Sequence, residues 1–222
     1  LTAMGDVESA RAAVEYLYEY QQREDGFLPQ NTYLDGRTRW GGEQMDNISW
    51  PQVMAYQLQR RHGVGFDEAG YDYENVRKSA DYVVTNGPST GQERWEEEGG
   101  LSPSTTAAEI AGLVTAASLA AAEHQRADAL VYLALADRWQ SRTEEWMATD
   151  EGTDERETTP YYFRINDDRD PDDGALLNIN NGGPTMDERN VVDAGFLELV
   201  RLGVKPWDDP TVRTSLDVVD DT

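Results

Sequence analysis

Helical periodicity, interrupted by unusually long loops, constrains this chain more than any other feature. Ala10, Ala13, Val14 and Leu17 fall at i, i+3, i+4 and i+7 within residues 7–22, which lines one helix face with apolar groups. That helix is expected to stop before Gly26. A second is expected over 49–61, with Pro51 in its first turn and Pro51, Met54, Ala55 and Leu58 on one face. A third spans 73–85. The next begins after "SPST", where Ser104 can cap the first turn and Ile110, Leu113, Val114 and Ala117 form an alanine-rich stripe suited to burial. Two more are expected over 125–147, with Tyr132, Leu135, Ala136 and Trp139 in register, and over 187–202, with Val192, Phe196 and Val200 inward. No fixed-period repeat occurs, but helix and loop alternate throughout. The pattern predicts an all-α chain of stacked helical hairpins with loops gathered at one end.

The loops carry the polar chemistry. Residues 23–48 are rich in aromatics and amides, 86–104 contain "GQERWEEEGG", and 148–186 are strongly acidic. Long loops inside a compact domain are usually functional or disordered. In the third, "YYFRIN" at 161–166 and "ALLNIN" at 175–180 flank "DDRDPDDG", which reads as a short β-hairpin with an acidic turn. Asp167, Asp168, Asp170, Asp172 and Asp173 offer oxygen ligands for calcium, but their order is not the EF-hand spacing, so a solvated turn is the simpler reading.

Composition narrows the partners. Across 222 residues, 43 acids face 19 bases, giving a net charge of −24 and a pI near 4.2, which argues against nucleic acid as a partner. Only Lys78 and Lys205 are lysines, and such an acid-rich, arginine-over-lysine surface resembles that of salt-accumulating microbes such as halophilic archaea. Self-repulsion should then destabilise the chain at low ionic strength, so the thermal midpoint is expected to rise with potassium chloride. Without cysteine there is no disulfide framework and no thiol nucleophile; with only His62 and His124, both at helix ends, a histidine-rich metal site is not expected either. No run of about 18 apolar residues is seen to span a bilayer, so no membrane partner is expected. The start "LTAMGDVESARAA" has no signal-peptide pattern and reads as an internal segment, leaving the compartment open.

A sugar site needs flat apolar surfaces for pyranose faces, carboxylates and amides for hydroxyls, and two carboxyls for acid and base work. Tyr33, Trp40, Gln44 and Asp46 lie in one loop, and Arg94, Trp95, Glu96 and Glu97 in another. Either tryptophan alone reads as core packing. A carboxyl beside an indole and other carboxylates is disfavoured in its ionised form by desolvation and like-charge repulsion, as a general acid requires. Three consecutive glutamates, Glu96, Glu97 and Glu98, read equally as exposed charge.

The segment "GPSTGQERWEEEGGLSPSTTAAEIAGLVTAA" resembles the general-acid segment of glycoside hydrolase family fifteen, the glucoamylases and glucodextranases. "GFLPQNTYLDGRTRWGGEQMDN" resembles its sugar-binding loop, "YYFRINDDRDPDDGALLNINNGG" its hairpin, and "DERNVVDAGFLELVRLGVKPWDDP" the following helix of the bacterial and archaeal branch. Together these blocks cover about residues 20–220. The resemblance implies an α/α six-barrel, incomplete here, with residues 1–222 forming the middle portion of a catalytic domain. It implies an inverting, exo-acting hydrolase that releases β-glucose from non-reducing ends of α-glucans, with trehalase or dextran specificity as the alternative.

By the same resemblance Glu96 is the general acid, Glu97 holds a sugar hydroxyl, and Arg94 and Trp95 shape the pocket. Tyr33 and Trp40, with Gln44 and Asp46, would line the first subsites. No redox cofactor or catalytic metal is implied, and the partner is a gluco-oligosaccharide. The family's base is expected beyond Thr222, so this stretch alone is not expected to turn over substrate; it could instead bind oligosaccharide or self-associate. "QMDN" departs from the frequent "QLDE", which puts an acceptor at Asn47 in question.

Overall fold

The computed structural model describes residues 1–152, 159–180 and 182–222; positions 153–158 and 181 of the acidic loop lie outside the described residues. Helices dominate it, as expected. The α-helices are α1 Val7–Tyr16, α2 Met45–His62, α3 Phe66–Ala69, α4 Tyr73–Asn86, α5 Pro103–Ala122, α6 Arg126–Gln140, α7 Thr143–Met147, α8 Leu197–Arg201 and α9 Pro210–Asp220. Among the described residues six short strands pair two by two: β1 Asn31–Thr32 with β2 Thr38–Trp40, β3 Ala148–Thr149 with β4 Tyr161–Tyr162, and β5 Leu176–Asn178 with β6 Thr185–Asp187, all antiparallel. Contacts divide the chain into two units, residues 1–87 with 111–136 and residues 88–110 with 137–222, and α5 and α6 contribute residues to both.

In the first unit α2 packs against α1 and α4, burying Ala10 and Val14, Ile48, Ala55 and Leu58, and Val76, Ala80 and Val83. Of the expected stripes, Ala10, Val14, Pro51, Ala55 and Leu58 are buried, but Ala13 is exposed and Tyr18 rather than Leu17 is buried in the full turn of π-helix at Leu17–Gln21 that extends α1. α2 starts four residues before the expected position, at Met45, so Pro51 sits in its second turn; the Ser49 hydroxyl meanwhile donates to the Met45 carbonyl at 2.7 Å. Gly112 of α5 lies so close to α2 that a Cβ there would come within 2.4 Å of Gln52 Oε1 and 3.0 Å of Ser49 Cβ, so only glycine permits this approach. Two tyrosines tie α6 to its neighbour: the Tyr132 hydroxyl donates to Asp81 and the Tyr73 hydroxyl to Asp128, each at 2.7 Å.

The second unit is where the expectations need most correction. The predicted 125–147 helix breaks between Gln140 and Thr143. The predicted 187–202 helix is two 3₁₀ turns, Glu188–Asn190 and Ala194–Phe196, followed by α8, because Asp193 folds its carboxylate onto the Gly195 N–H at 2.6 Å and caps a new start. Phe196 is buried as expected, whereas Val191 and Leu199 are buried rather than Val192 and Val200. Strands form at both hairpin positions but do not pair with each other: β4 joins β3, and β5 joins β6. α5 begins at Pro103, which places Ser104 inside the first turn, and Val114 of its expected stripe is exposed. α5 is also, by length and hydropathy, long enough to cross a membrane, contrary to the sequence expectation; 67% of its apolar window is buried within the protein, as for a core helix.

Candidate active site

The loop "GQERWEEEGG" is built around a residue that the sequence reading passed over. Glu93, with 1% of its surface exposed, accepts the backbone N–H of Trp95 at 2.6 Å and that of Glu97 at 3.3 Å. Its own N–H donates to the Glu98 carbonyl at 2.9 Å, and its carbonyl accepts the Glu96 N–H at 2.8 Å. Burial pushes the Glu93 carboxyl above its ordinary range, opposed by the two accepted N–H bonds and by Arg164. The carboxyl raised by desolvation in this loop is thus Glu93, while Glu96 is exposed. Glu96 carries a different mark: its φ is +62°, a left-handed conformation that costs a non-glycine residue about 1–3 kcal/mol and persists only where its surroundings enforce it.

The glycines after the triplet have a steric cause. Gly100 pairs with Thr90 across the base of the loop at φ +140°, and a Cβ there would lie 2.2 Å from the Asn166 carbonyl oxygen. Leu101 in turn exchanges backbone hydrogen bonds with Asn166, which brings the 164–166 segment alongside. That segment delivers Arg164. Its Nη1 donates to Glu97 Oε2 at 2.7 Å, its Nε lies 3.6 Å from Asp193 Oδ2, and its guanidinium carbon stands 5.6 Å from the centre of the Trp95 ring. The Trp95 indole N–H donates to Asp193 Oδ2 at 2.5 Å, although the ring itself keeps 53% of its exposure. Arg94 lies 5.9 Å from the same ring, and Asn180 donates to the Glu97 carbonyl at 3.3 Å. Among the described residues the second unit therefore joins Arg94, Trp95 and Glu97 to three residues the sequence did not single out, Glu93, Arg164 and Asp193. No local signal marks the last two, which stand 67 and 98 residues from their partners.

Tyr33, Trp40, Gln44 and Asp46 belong to the first unit. Trp40 ends β2 opposite Asn31, half-exposed at 52%, with the Arg39 guanidinium 4.6 Å from its ring. Tyr33 is also exposed; Arg37 stands 5.1 Å from its ring and the Tyr16 hydroxyl donates to its carbonyl at 2.7 Å. Gln44, buried at the start of α2, accepts the Asn47 side-chain amide at 2.6 Å, while Asp46 Oδ1 accepts the Asn47 backbone N–H at 2.9 Å. At Asn47 an amide thus supplies a donor to Gln44 where a carboxylate would only accept.

Residues 9–222 match the family described as Glycosyl hydrolases family 15. The chain belongs to this family. It is 41% identical over 222 residues to a glucoamylase of Clostridium sp. (strain G0005), covering 99% of this chain and 30% of that protein. A crystal structure of a bacterial glucoamylase complexed with acarbose superposes with a TM-score of 0.87 at 41% identity, over 98% of this chain and 31% of the other. A wild-type glycosidase at 18% identity shares the fold with a TM-score of 0.62, over 98% of this chain and 50% of its own. The chain thus spans about a third of the length of the glucoamylases it matches, and its helices follow the α/α-barrel fold of that family.

Proposed function

We propose that the protein carrying this family 15 chain is an inverting, exo-acting glycoside hydrolase that releases β-glucose from the non-reducing ends of α-glucans, with residues 1–222 forming part of its catalytic domain. The observation that carries the reading is the loop at 93–97. Glu93 holds its backbone from beneath, Arg164 and Asp193 fix Glu97 and the Trp95 indole, and Glu96 is left exposed in a strained conformation. Strain of this kind clusters at sites where a side chain must be presented in one orientation.

In this reading Glu96 donates the proton to the glycosidic oxygen, and Glu97, held by Arg164, accepts a sugar hydroxyl. Trp95 and Trp40 supply apolar surface for pyranose faces, and Tyr33, Gln44, Asp46 and Arg94 contribute further contacts to sugar. The water-activating carboxylate of an inverting pair stands about 6.5–9.5 Å from the acid, which leaves room for the water; no residue of this chain is assigned to it. The 41%-identical structure that carries acarbose supports an oligosaccharide as ligand.

NMR of the first product from maltose, taken before mutarotation, should show β-glucose; initial α-glucose would overturn the inverting assignment. Initial rates on maltose, isomaltose and trehalose would fix the linkage. The halophilic origin suggested by the charge of −24 belongs to the same reading and requires a thermal midpoint that rises between about 0.01 M and about 1 M potassium chloride.

A further inference from the structure

Besides Arg164 and Asp193, a third distant element touches the loop that carries Glu96 and Glu97: the hairpin of β5 and β6. Its register sets Leu177 opposite Met186 and Asn178 opposite Thr185, so side chains alternate between two faces. Leu177 and Met186 turn inward and, with Ile179, pack against Ile165 and Val191. The Arg164 N–H donates to the Val191 carbonyl at 2.8 Å, so the hairpin and the guanidinium that holds Glu97 stand on one small core. Past the strands the Ile179 N–H donates to the Pro184 carbonyl at 3.1 Å and the Gly183 N–H to that of Asn180 at 3.3 Å, which closes the end of the hairpin.

The outer face of the hairpin is polar where it nears the acid loop. Asn178 and Thr185 are both exposed there, and the Thr185 hydroxyl donates to Asn178 Oδ1 at 3.3 Å. At the hairpin's end the exposed Asn180 donates its side-chain amide to the Glu97 carbonyl at 3.3 Å. Among the described residues, the Asn178 amide N–H groups and the Asn180 side-chain oxygen have no protein partner. A sugar hydroxyl both donates and accepts, and amides that keep a donor and an acceptor open beside a carboxylate match that chemistry.

We propose that Asn178 and Asn180, at the end of the β5–β6 hairpin, hydrogen-bond the sugar on the leaving-group side of the scissile bond and so help to set which α-glucans the site accepts. This rests on the reading that Glu96 protonates the glycosidic oxygen and Glu97 accepts a sugar hydroxyl. An exo-acting site encloses the terminal glucose and lets the rest of the glucan run out to solvent. Groups that stay exposed beside Glu97 therefore meet the units beyond the terminal one. Neither asparagine moves a proton; each contributes binding to a sugar that a substrate with a one-atom leaving group does not have.

The test compares kcat/KM of the full-length protein on glucosyl fluoride with that on its fastest disaccharide among maltose, isomaltose and trehalose. The fluoride carries the terminal glucose without a leaving-group sugar. Asn178→Ala should lower kcat/KM for the disaccharide by about three- to tenfold, the worth of one neutral hydrogen bond, and that for the fluoride by less than about twofold. Asn180→Ala also releases the Glu97 carbonyl, so both substrates should suffer, the disaccharide more. Both positions are exposed, so both variants should fold. A disaccharide loss no larger than the fluoride loss in either variant would overturn the proposal and leave the hairpin as a brace for the acid loop. A parent protein active on neither kind of substrate would instead remove the hydrolase reading, and this proposal with it.

Discussion

The two groups of candidate sugar-binding residues are held in opposite ways. In the second unit Trp95 is fixed by Asp193 and Glu97 by Arg164, partners 98 and 67 positions away. In the first, Trp40 and Tyr33 have guanidinium neighbours at Arg39 and Arg37, and Gln44 and Asp46 bind Asn47, each pair within four residues, while the Tyr33 backbone is also held by the Tyr16 hydroxyl. Long-range partners arrive only when the unit has folded, and they set a side chain without further ordering when the ligand binds; that suits atoms which must meet a transition state. Local partners place no distant constraint on a ring, which suits a surface that only binds; exposure does not separate the two rings, since Trp95 keeps 53% and Trp40 52%. If this contrast is right, substitutions in the second unit should act on turnover and stability together, and those in the first should act on binding alone.

The largest effect is expected at Glu96. Glu96→Gln keeps shape and hydrogen bonding but removes the transferable proton, so kcat should fall by ~10²–10⁴-fold while KM changes little. A glucosyl fluoride, whose leaving group needs little protonation, should recover much of the lost rate. Glu98→Gln is the control and should leave kcat within about twofold. Equal losses at both positions, or no recovery with the fluoride, would make the triplet an electrostatic patch and remove the reason for a fixed loop.

Arg164→Met comes next. It leaves Glu97 and Asp193 facing a neutral side chain, and since the three side chains retain 12–16% exposure the cost should lie at about 2–4 kcal/mol, at or below the range for fully buried pairs. Chemical denaturation would measure that loss. Arg164→Lys, which restores the charge without the fork, should recover part of the stability and less of kcat, because only the guanidinium spans Glu97 and Asp193 together. Full recovery of both by lysine would show that charge, and not orientation, is what Arg164 supplies.

This contrast also explains how far the sequence could be read. α1 and most of α2 follow from apolar spacing because a helix repeats its contacts every three or four residues, whereas the roles proposed for Trp95, Glu96 and Glu97 rest on family resemblance. Glu93 was in view within "QERWEEE", but nothing local distinguishes a glutamate that folds back under its own loop from three that follow it. Arg164 and Asp193 were beyond reach, since their roles depend on the Leu101–Asn166 bridge and on the capping turn at Asp193. The same tertiary dependence defeated the hairpin, where β4 finds its partner in residues 148–149.

Glu93 offers a pH-dependent test of the loop. Its folded-state pKa is raised above 4.5, so its stabilising effect is complete below the unfolded value and is lost as pH rises through the folded value. The sign follows from the folded state holding its proton over that window while the unfolded state does not. Glu93→Gln should lose about 1–2 kcal/mol through one missing N–H acceptor, and the decline of its thermal midpoint above about pH 4.5 should be shallower than in the parent protein. Parallel pH profiles would mean that Glu93 is ionised in the fold and that hydrogen bonds, not a buried proton, secure the loop.

The smallest effect is expected where the contact is local and exposed. Arg39 stands over the Trp40 ring at 4.6 Å, a cation–π contact worth about 0.5–1 kcal/mol at an exposed site. Arg39→Ala should therefore raise KM by about two- to fivefold if the guanidinium helps present the ring to a sugar, and should leave kcat unchanged because no reacting atom is involved. Trp40→Ala should raise KM further, since it removes the surface itself, again with kcat preserved. Measuring both against maltose and a longer oligosaccharide separates the possibilities: a loss confined to KM keeps the first unit as a binding surface. A fall in kcat at Trp40 to match that of Arg164→Met would mean that the locally held ring is as much a part of the catalytic geometry as the ion-paired loop, and the contrast between the two units would fail.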